Sequence, residues 1–307
     1  MKMTFSTKLK EEICREEINS LERRSELSAI LRYDAHINGK ITITFENGCV
    51  ARRVFKDIKS IFNMTPHIIV RNQKRLRAKQ IYILEIKQHI DTILKRLNID
   101  RASSRSDFDT PEEMAAFVRG AFLVTGSISD PSTSGYHLEF VLNTLEDASF
   151  LNSLLLEMKF DSKVLERNNK YMVYLKSAEE ISDMIRMFKA SNALFYFEDI
   201  RIYRDHKNMV NRLNNCEIAN QEKTTITGMK QLEDIAYLKE HDLIDLLDDK
   251  TKQIIAYRLK YPESSYQELA EIISLETDYQ IGKSGINHHF IKMKKMVENH
   301  KNNEYLF

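Results

Sequence analysis

The first apolar positions of the chain fall at helical spacing up to about Asp34. They then switch to strict alternation in KITITFE (Lys40–Glu46), the period of a half-buried strand. A helix follows at Val50–Phe62, then strands at His67–Arg71 and Gln80–Ile86, then a helix at His89–Leu97. After polar NIDRASSRSDF the same order restarts. A helix begins at Thr110, where Thr110 and Glu113 fit a capping box and Pro111 takes the first helical position. A strand (Tyr136–Asn143), a helix (Leu145–Met158), a hairpin (Asp161–Glu166 and Tyr171–Lys176, turning at Arg167–Lys170) and a helix (Ala178–Lys189) complete it. Both blocks read helix–strand–helix–hairpin–helix, so they are expected to be pseudo-symmetric halves of one domain.

Beyond Asn192 the pattern changes. LFYFEDIRIY reads as a short strand, and Arg201–Arg212 holds four bases. A polar connector is expected around Asn214–Thr224, followed by helical segments. Gln231–Asp249 carries seven acids and one Lys, which makes it a poor surface for phosphate. A helix at Thr251–Lys260 is terminated by Tyr261-Pro262. In ESSYQELAEII, Ser264 or Ser265 can cap, with Glu268 three residues after Ser265, and Leu269, Ile272 and Ile273 form an apolar face. SLETDYQIG is expected as a nine-residue loop. The last helix, KSGINHHFIKMKKMVENHK, has an apolar stripe at Ile286, Phe290, Met293 and Val297.

A capped helix, a loop and a basic helix read as helix-turn-helix, the last helix entering the major groove by its N-terminal residues. Ser284, Asn287, His288 and His289 are expected to face bases, and Asn can pair bidentately with adenine. Lys283, Lys292, Lys294 and Lys295 are expected to neutralise phosphates. Gly285, together with Ser265, Tyr266 and Gln267 of the preceding helix, completes the candidate set. A nine-residue loop is long for a tight helix-turn-helix and favours a looser variant. The competing reading is a plain amphipathic helix with a solvated face. A second basic segment, Arg71–Lys79, has five bases in nine residues: Arg71, Lys74, Arg75, Arg77 and Lys79. It is either a solvated hairpin loop or a second DNA surface.

Composition narrows the classes. A chain of 307 residues, 42% hydrophobic and 30% charged, can fill more than one core. A net charge of +1 gives no global sign of nucleic-acid binding, so that case rests on local patches. No apolar run is long enough to span a membrane, and the first residues lack an apolar signal core, so no membrane partner is expected and the expected location is cytoplasmic, with the nucleoid. Three scattered cysteines suit neither a disulfide framework nor a zinc cluster. Walker, GxGxxG, HExxH and CxxC motifs are absent, and adjacent His288 and His289 point to different sides of a helix, so no metal or other cofactor is expected.

The two leading helices overlay with an offset of 91 residues: Ala29 on Gly120, Asp34 on Thr125, Ala35 on Gly126 and His36 on Ser127. Small residues at matched places let two helices pack backbone to backbone. The pattern ending in VRGAFLVTGSISDP, present twice and followed each time by hairpins, resembles the LAGLIDADG homing endonucleases. That resemblance implies a carboxylate at the foot of each helix, the pair holding divalent metal. Here the feet carry Asp34 and Thr125, so the catalytic site is expected to be degenerate; Asp130 lies four residues beyond the helix end. An α+β fold is expected, a pseudo-symmetric endonuclease-like domain (1–100 and 101–200), a linker (201–226) and an all-α helix-turn-helix domain (227–307).

Four stretches in this order, FSTKLKEE (5–12), VRGAFLVTGSISDP (118–131), NNCEIANQEKT (214–224) and KSGINHHFIKM (283–293), resemble the WhiA family of bacterial regulators. The resemblance implies a non-enzymatic DNA-binding regulator linked to cell division, chromosome segregation and, in sporulating bacteria, sporulation. Its implied partners are double-stranded DNA and another transcription regulator or RNA polymerase. The family's last motif ends closer to KSGVNHRLRKL; His289 and Ile291 stand here at the two arginine positions. The competing functions are a metal-dependent endonuclease surviving on Asp34 and a protein-docking module with little DNA affinity.

Overall fold

The computed structural model describes residues 3–72, 80–133 and 135–304. The chain divides into two compact units, Met1–Asp205 and His206–Phe307.

In the first unit, α1 (Phe5–Ile13) and α2 (Ser20–Asp34) are separate helices, where the sequence pattern read as one. Asn19 makes the break: its side chain accepts the Glu22 amide at 2.8 Å and starts a new helix. Strands β1 (His36–Ile37) and β2 (Ile41–Phe45), α3 (Gly48–Phe62), strands β3 (His67–Asn72) and β4 (Gln80–Ile86) and α4 (Ile90–Arg96) complete the first half. The second half repeats this with α5 (Pro111–Thr125), β5 (Gly126–Ile128), β6 (Leu138–Leu142), α6 (Leu145–Glu157), β7 (Lys163–Arg167), β8 (Lys170–Leu175) and α7 (Ala178–Met187). Each half contributes one antiparallel sheet, in the orders β1-β2-β4-β3 and β5-β6-β8-β7, so the topology is duplicated strand for strand. The β7–β8 turn uses Asn168 and Asn169, both at positive φ, the geometry a two-residue hairpin needs. At the start of α5 only half of the expected capping box forms. Thr110 accepts the Glu113 amide, but the Glu113 carboxylate accepts from Asp109 instead.

The two halves meet along α2 and α5. A Cβ on Gly120 would stand 2.3 Å from the Glu26 carbonyl oxygen, so only glycine permits this approach. Around it lies a buried ionic network. Glu26, fully buried, accepts from Arg53 of α3 through both oxygens and from Arg119 of α5 at 2.7 Å. Arg119 also reaches Glu22 at 3.4 Å, and Lys189 donates to Glu22 at 3.1 Å. Two guanidinium groups are thereby removed from water only because carboxylates from the facing helix satisfy them.

The stretch expected as a strand and an irregular connector is instead helical. α8 runs without a break from Ser191 to Glu240. Glu12 of α1 caps it, its carboxylate accepting the amides of Asn192 (2.7 Å) and Ala193 (2.9 Å). In the second unit the end of α8 packs with α9 (Asp249–Lys260), α10 (Tyr266–Glu276) and α11 (Lys283–Glu304) around Ile235, Leu238, Ile254, Leu269, Ile273, Ile286, Phe290, Met293 and Val297. Among the described residues, no helix is long and apolar enough to cross a membrane.

Candidate nucleic-acid interface

The second unit holds the helix-turn-helix. Ser265 caps α10 in a full capping box with Glu268: each backbone amide donates to the other residue's side chain, at 2.6 and 3.2 Å. The turn into α11 occupies Thr277–Gly282, six residues rather than the nine expected, because α10 continues to Glu276. Ser274 staples this turn by accepting the Ile281 amide at 3.2 Å, and Thr277 donates back to the Ile273 carbonyl at 2.7 Å. On the other side of α10, buried Arg258 holds the α9–α10 turn by donating to the carbonyls of Pro262 (3.3 Å) and Ser264 (2.6 Å).

With Ile286, Phe290, Met293 and Val297 buried, α11 turns Lys283, Ser284, Asn287, His288, Ile291, Lys292, Lys294 and Lys295 outward. At 100° per residue, Ser284, His288, Ile291 and Lys295 occupy the middle of the exposed arc, with Asn287 beside them. Not every candidate joins this face. His289 turns inward: its Nδ1 lies 2.7 Å from the Thr251 hydroxyl and its Nε2 3.5 Å from the Tyr279 hydroxyl. Burial lowers its pKa, opposed by nearby Asp248, and the ring joins α11 to the start of α9. The expectation that His289 faces bases is corrected on that ground.

The lysines are not equivalent. Lys292 is ion-paired to Asp248, and its hydrogen bond holds that carboxyl well below the usual carboxylate range. Lys294 lies 3.6 Å from Glu298, in an exposed pair that solvent screens. Among the described residues Lys283 and Lys295 make no ion pair, and their charge is unspent. Gly285 serves packing: a Cβ there would stand 2.7 Å from the Ile281 side chain. Tyr266 is partly structural, stacked on Phe290 at 5.8 Å and accepting from Gln231 at 2.5 Å, whereas Gln267 is exposed and donates to Glu271 at 2.8 Å. Ile291, 46% exposed, is a residue the sequence reading counted only as a lost charge; an outward aliphatic group there suits a thymine methyl.

In the first unit, the feet of α2 and α5 carry Asp34 and Thr125. Thr125 turns its hydroxyl back to the Ala121 carbonyl at 2.8 Å. Surrounding protein pushes the Asp34 carboxyl up to about 6, against the pull of the Lys10 ammonium. Half-buried Lys10 of α1 is itself lowered to about 8 by burial, with Cys14, Asp34 and Glu46 acting in the other direction. Lys10 Nζ itself lies over the Phe122 ring of α5, 5.5 Å from its centroid. Asp130 accepts from Ser132 (2.7 Å) and from Tyr196 (3.1 Å), so it braces the segment after β5 against α8. Among the described residues no group of three or more His, Cys, Asp or Glu is arranged to hold a metal ion. Arg71 is exposed at the end of β3; Lys74, Arg75, Arg77 and Lys79 lie outside the described residues.

A duplicated α+β unit built on paired central helices, followed by a helix-turn-helix, defines a LAGLIDADG-like protein with an appended DNA-binding motif. Residues 20–100 match the WhiA N-terminal LAGLIDADG-like domain, 114–207 the WhiA LAGLIDADG-like domain, and 210–297 the WhiA C-terminal HTH domain. The chain belongs to the WhiA family. It is similar to the probable cell division protein WhiA of Bacillus cytotoxicus, 36% identical over 308 residues, with 96% of each chain covered. A protein of the same name from Staphylococcus aureus is 35% identical over 315 residues, covering 99% of each. The full-length DUF199/WhiA from Thermatoga maritima shares the fold, with a TM-score of 0.55, 21% identity, and coverage of 97% of this chain and 99% of that one.

Proposed function

We propose that this chain is a non-enzymatic DNA-binding regulator acting in cell division, whose second unit reads duplex DNA through α11. The observation that carries this reading is the outward arc of α11. Ser284, Asn287, His288 and Ile291 offer donors, acceptors and an aliphatic group without a competing structural role, flanked by unspent Lys283 and Lys295. The cell-division names of its relatives point to the same process. Chromosome segregation and, in a sporulating host, sporulation are further processes this reading includes. Another transcription regulator or RNA polymerase is the natural protein partner of a promoter-bound regulator.

The first unit is read as a scaffold that no longer cuts. One carboxylate at the two feet is a poor substitute for the paired charge that a hard divalent cation needs. Fluorescence anisotropy of labelled promoter fragments across a salt series tests the DNA reading. Asn287→Ala is expected to relax sequence preference by about 1–3 kcal/mol. Unchanged preference, or no binding at low salt, overturns it. Plasmid incubated with magnesium is expected to stay intact; cleavage abolished by Asp34→Ala would establish the nuclease instead.

A further inference from the structure

A cavity of about 720 Å³ opens in the first unit between the α1–α2 loop and one face of α3. That volume is in the range of small-molecule sites. It lies on the helical layer: α3 buries Val50, Val54 and Ile58 toward the sheet and turns Arg52 and Lys56 away from it. The lining carries charges of both signs. Arg52 and Lys56, one turn apart on α3, and Arg15 of the loop bring three accessible positive charges. Arg52 and Lys56 have no hydrogen-bond or ion-pair partner among the described residues. The same two elements also carry carboxylates, Glu16 and Glu17 on the loop and Asp57 on α3.

Asp57 is the informative group. It is 4% exposed, and one of its oxygens lies 3.4 Å from Arg23. The other, Oδ2, is buried and has no hydrogen-bond partner among the described residues. A buried acceptor left unmade is costly, and such groups in binding sites await a donor from a ligand. Burial, reinforced by Glu26, pushes the Asp57 carboxyl up to about 7 against the pull of Arg53, Arg23 and Arg119. The wall behind it is rigid: Arg53 is fully engaged with Glu26 and with the carbonyls of Ile13 (3.2 Å) and Glu16 (2.9 Å).

We propose that this cavity binds a nucleoside phosphate, its phosphates on Arg15, Arg52 and Lys56 and a hydroxyl or amino donor of its ribose or base on Asp57. Anionic groups alone would satisfy the cations and leave Asp57 unpaired. A purely cationic ligand would meet three positive charges. A molecule that carries both anionic groups and donors satisfies the cations and Asp57 together. Occupancy would bear on the α1–α2 loop, which continues from the helix whose Glu12 caps α8.

Isothermal titration of the full chain with GDP, ADP and inorganic pyrophosphate tests this. At least one nucleotide is expected to bind about tenfold or more tightly than pyrophosphate. Arg52→Ala/Lys56→Ala, which alters two exposed, unpartnered side chains, is expected to weaken that binding at least roughly tenfold with an unchanged melting temperature. Asp57→Asn is expected to erase the preference over pyrophosphate. Absence of nucleotide binding overturns the proposal, as does pyrophosphate binding as tightly as the nucleotides, or a double variant that binds like the wild type. Duplex DNA binding of the double variant is measured in parallel. Loss of DNA affinity in a protein that binds no nucleotide would assign these cations to the nucleic acid and overturn the proposal as well.

Discussion

Glu26→Ala is the most demanding test of how the first unit holds together. Glu26 is fully buried and is the shared acceptor for Arg53 and Arg119, themselves 7% and 2% exposed. After its removal Arg53 keeps two backbone carbonyls, but among the described residues Arg119 keeps only the 3.4 Å contact to Glu22. Removing one partner of a buried pair costs about 3–5 kcal/mol, because the remaining charge is stranded out of water. That is a large share of the ~5–15 kcal/mol that keeps a domain folded. The control is Arg105→Ala, which breaks the exposed Arg105–Glu157 pair (2.8 Å) and is expected to cost about 1 kcal/mol or less. Hydrogen exchange read by mass spectrometry on peptides of α2 and α5 isolates this unit without requiring the whole chain to unfold in one step. Protection in α2 and α5 is expected to fall on the order of 10²–10³-fold in Glu26→Ala and by less than about tenfold in Arg105→Ala. If the two variants exchange alike, water screens the network and it does not join the halves.

Other expectations follow from single contacts. Gly120→Ala forces a Cβ to within 2.3 Å of a backbone oxygen and is expected to lower stability by about 1–3 kcal/mol, seen as a lower thermal midpoint by circular dichroism; an unchanged midpoint would mean that α2 and α5 can slide apart freely. For DNA binding, Lys283→Ala and Lys295→Ala are each expected to reduce the slope of log K against log salt by about 0.9, whereas Lys292→Ala, already paired to Asp248, should change it much less; equal effects of all three would refute the distinction. The folded pKa of His289 is depressed, so its contribution is present above its unfolded value of about 6.5 and is lost as pH falls below that. Exchange protection in α9 and α11 should therefore decline on acidification, and His289→Gln should flatten that decline.

Elements that bury one face at the proper period were legible in both units. Phe45, Ile43 and Ile41 alternate inward along β2, and Ile286, Phe290, Met293 and Val297 form a buried stripe on α11. α8 was misread for the same reason in reverse. Its apolar anchors, Ala193 and Phe197 at one end and Ile235 and Leu238 at the other, are separated by a stretch with no buried residue between Arg204 and Gly228. Periodicity reports burial, and a helix solvated all round has no such signal. Aromatic and β-branched residues in LFYFEDIRIY then tipped the reading toward a strand. A negative clue was present: no glycine or proline occurs between Ser191 and Thr227, where a connector would be expected to have some. In the candidate interface the polar face of α11 could be read from spacing, but the inward turn of His289 depends on Thr251 and Tyr279, which only the folded unit brings near.

The ionic seam between the halves is one-sided. Along the paired helices α2 supplies two acids, Glu22 and Glu26, and α5 supplies the base, Arg119. Two copies of the first half, brought together in the same way, would set four glutamates against two Arg53 side chains. Two copies of the second half would face arginine with arginine. Like-charge encounters of this kind cost enough to select partners. Expressed as separate pieces divided in the polar segment before Thr110, the halves should therefore find each other and refuse themselves. A duplicated architecture has in this way become an obligate pair of unlike parts.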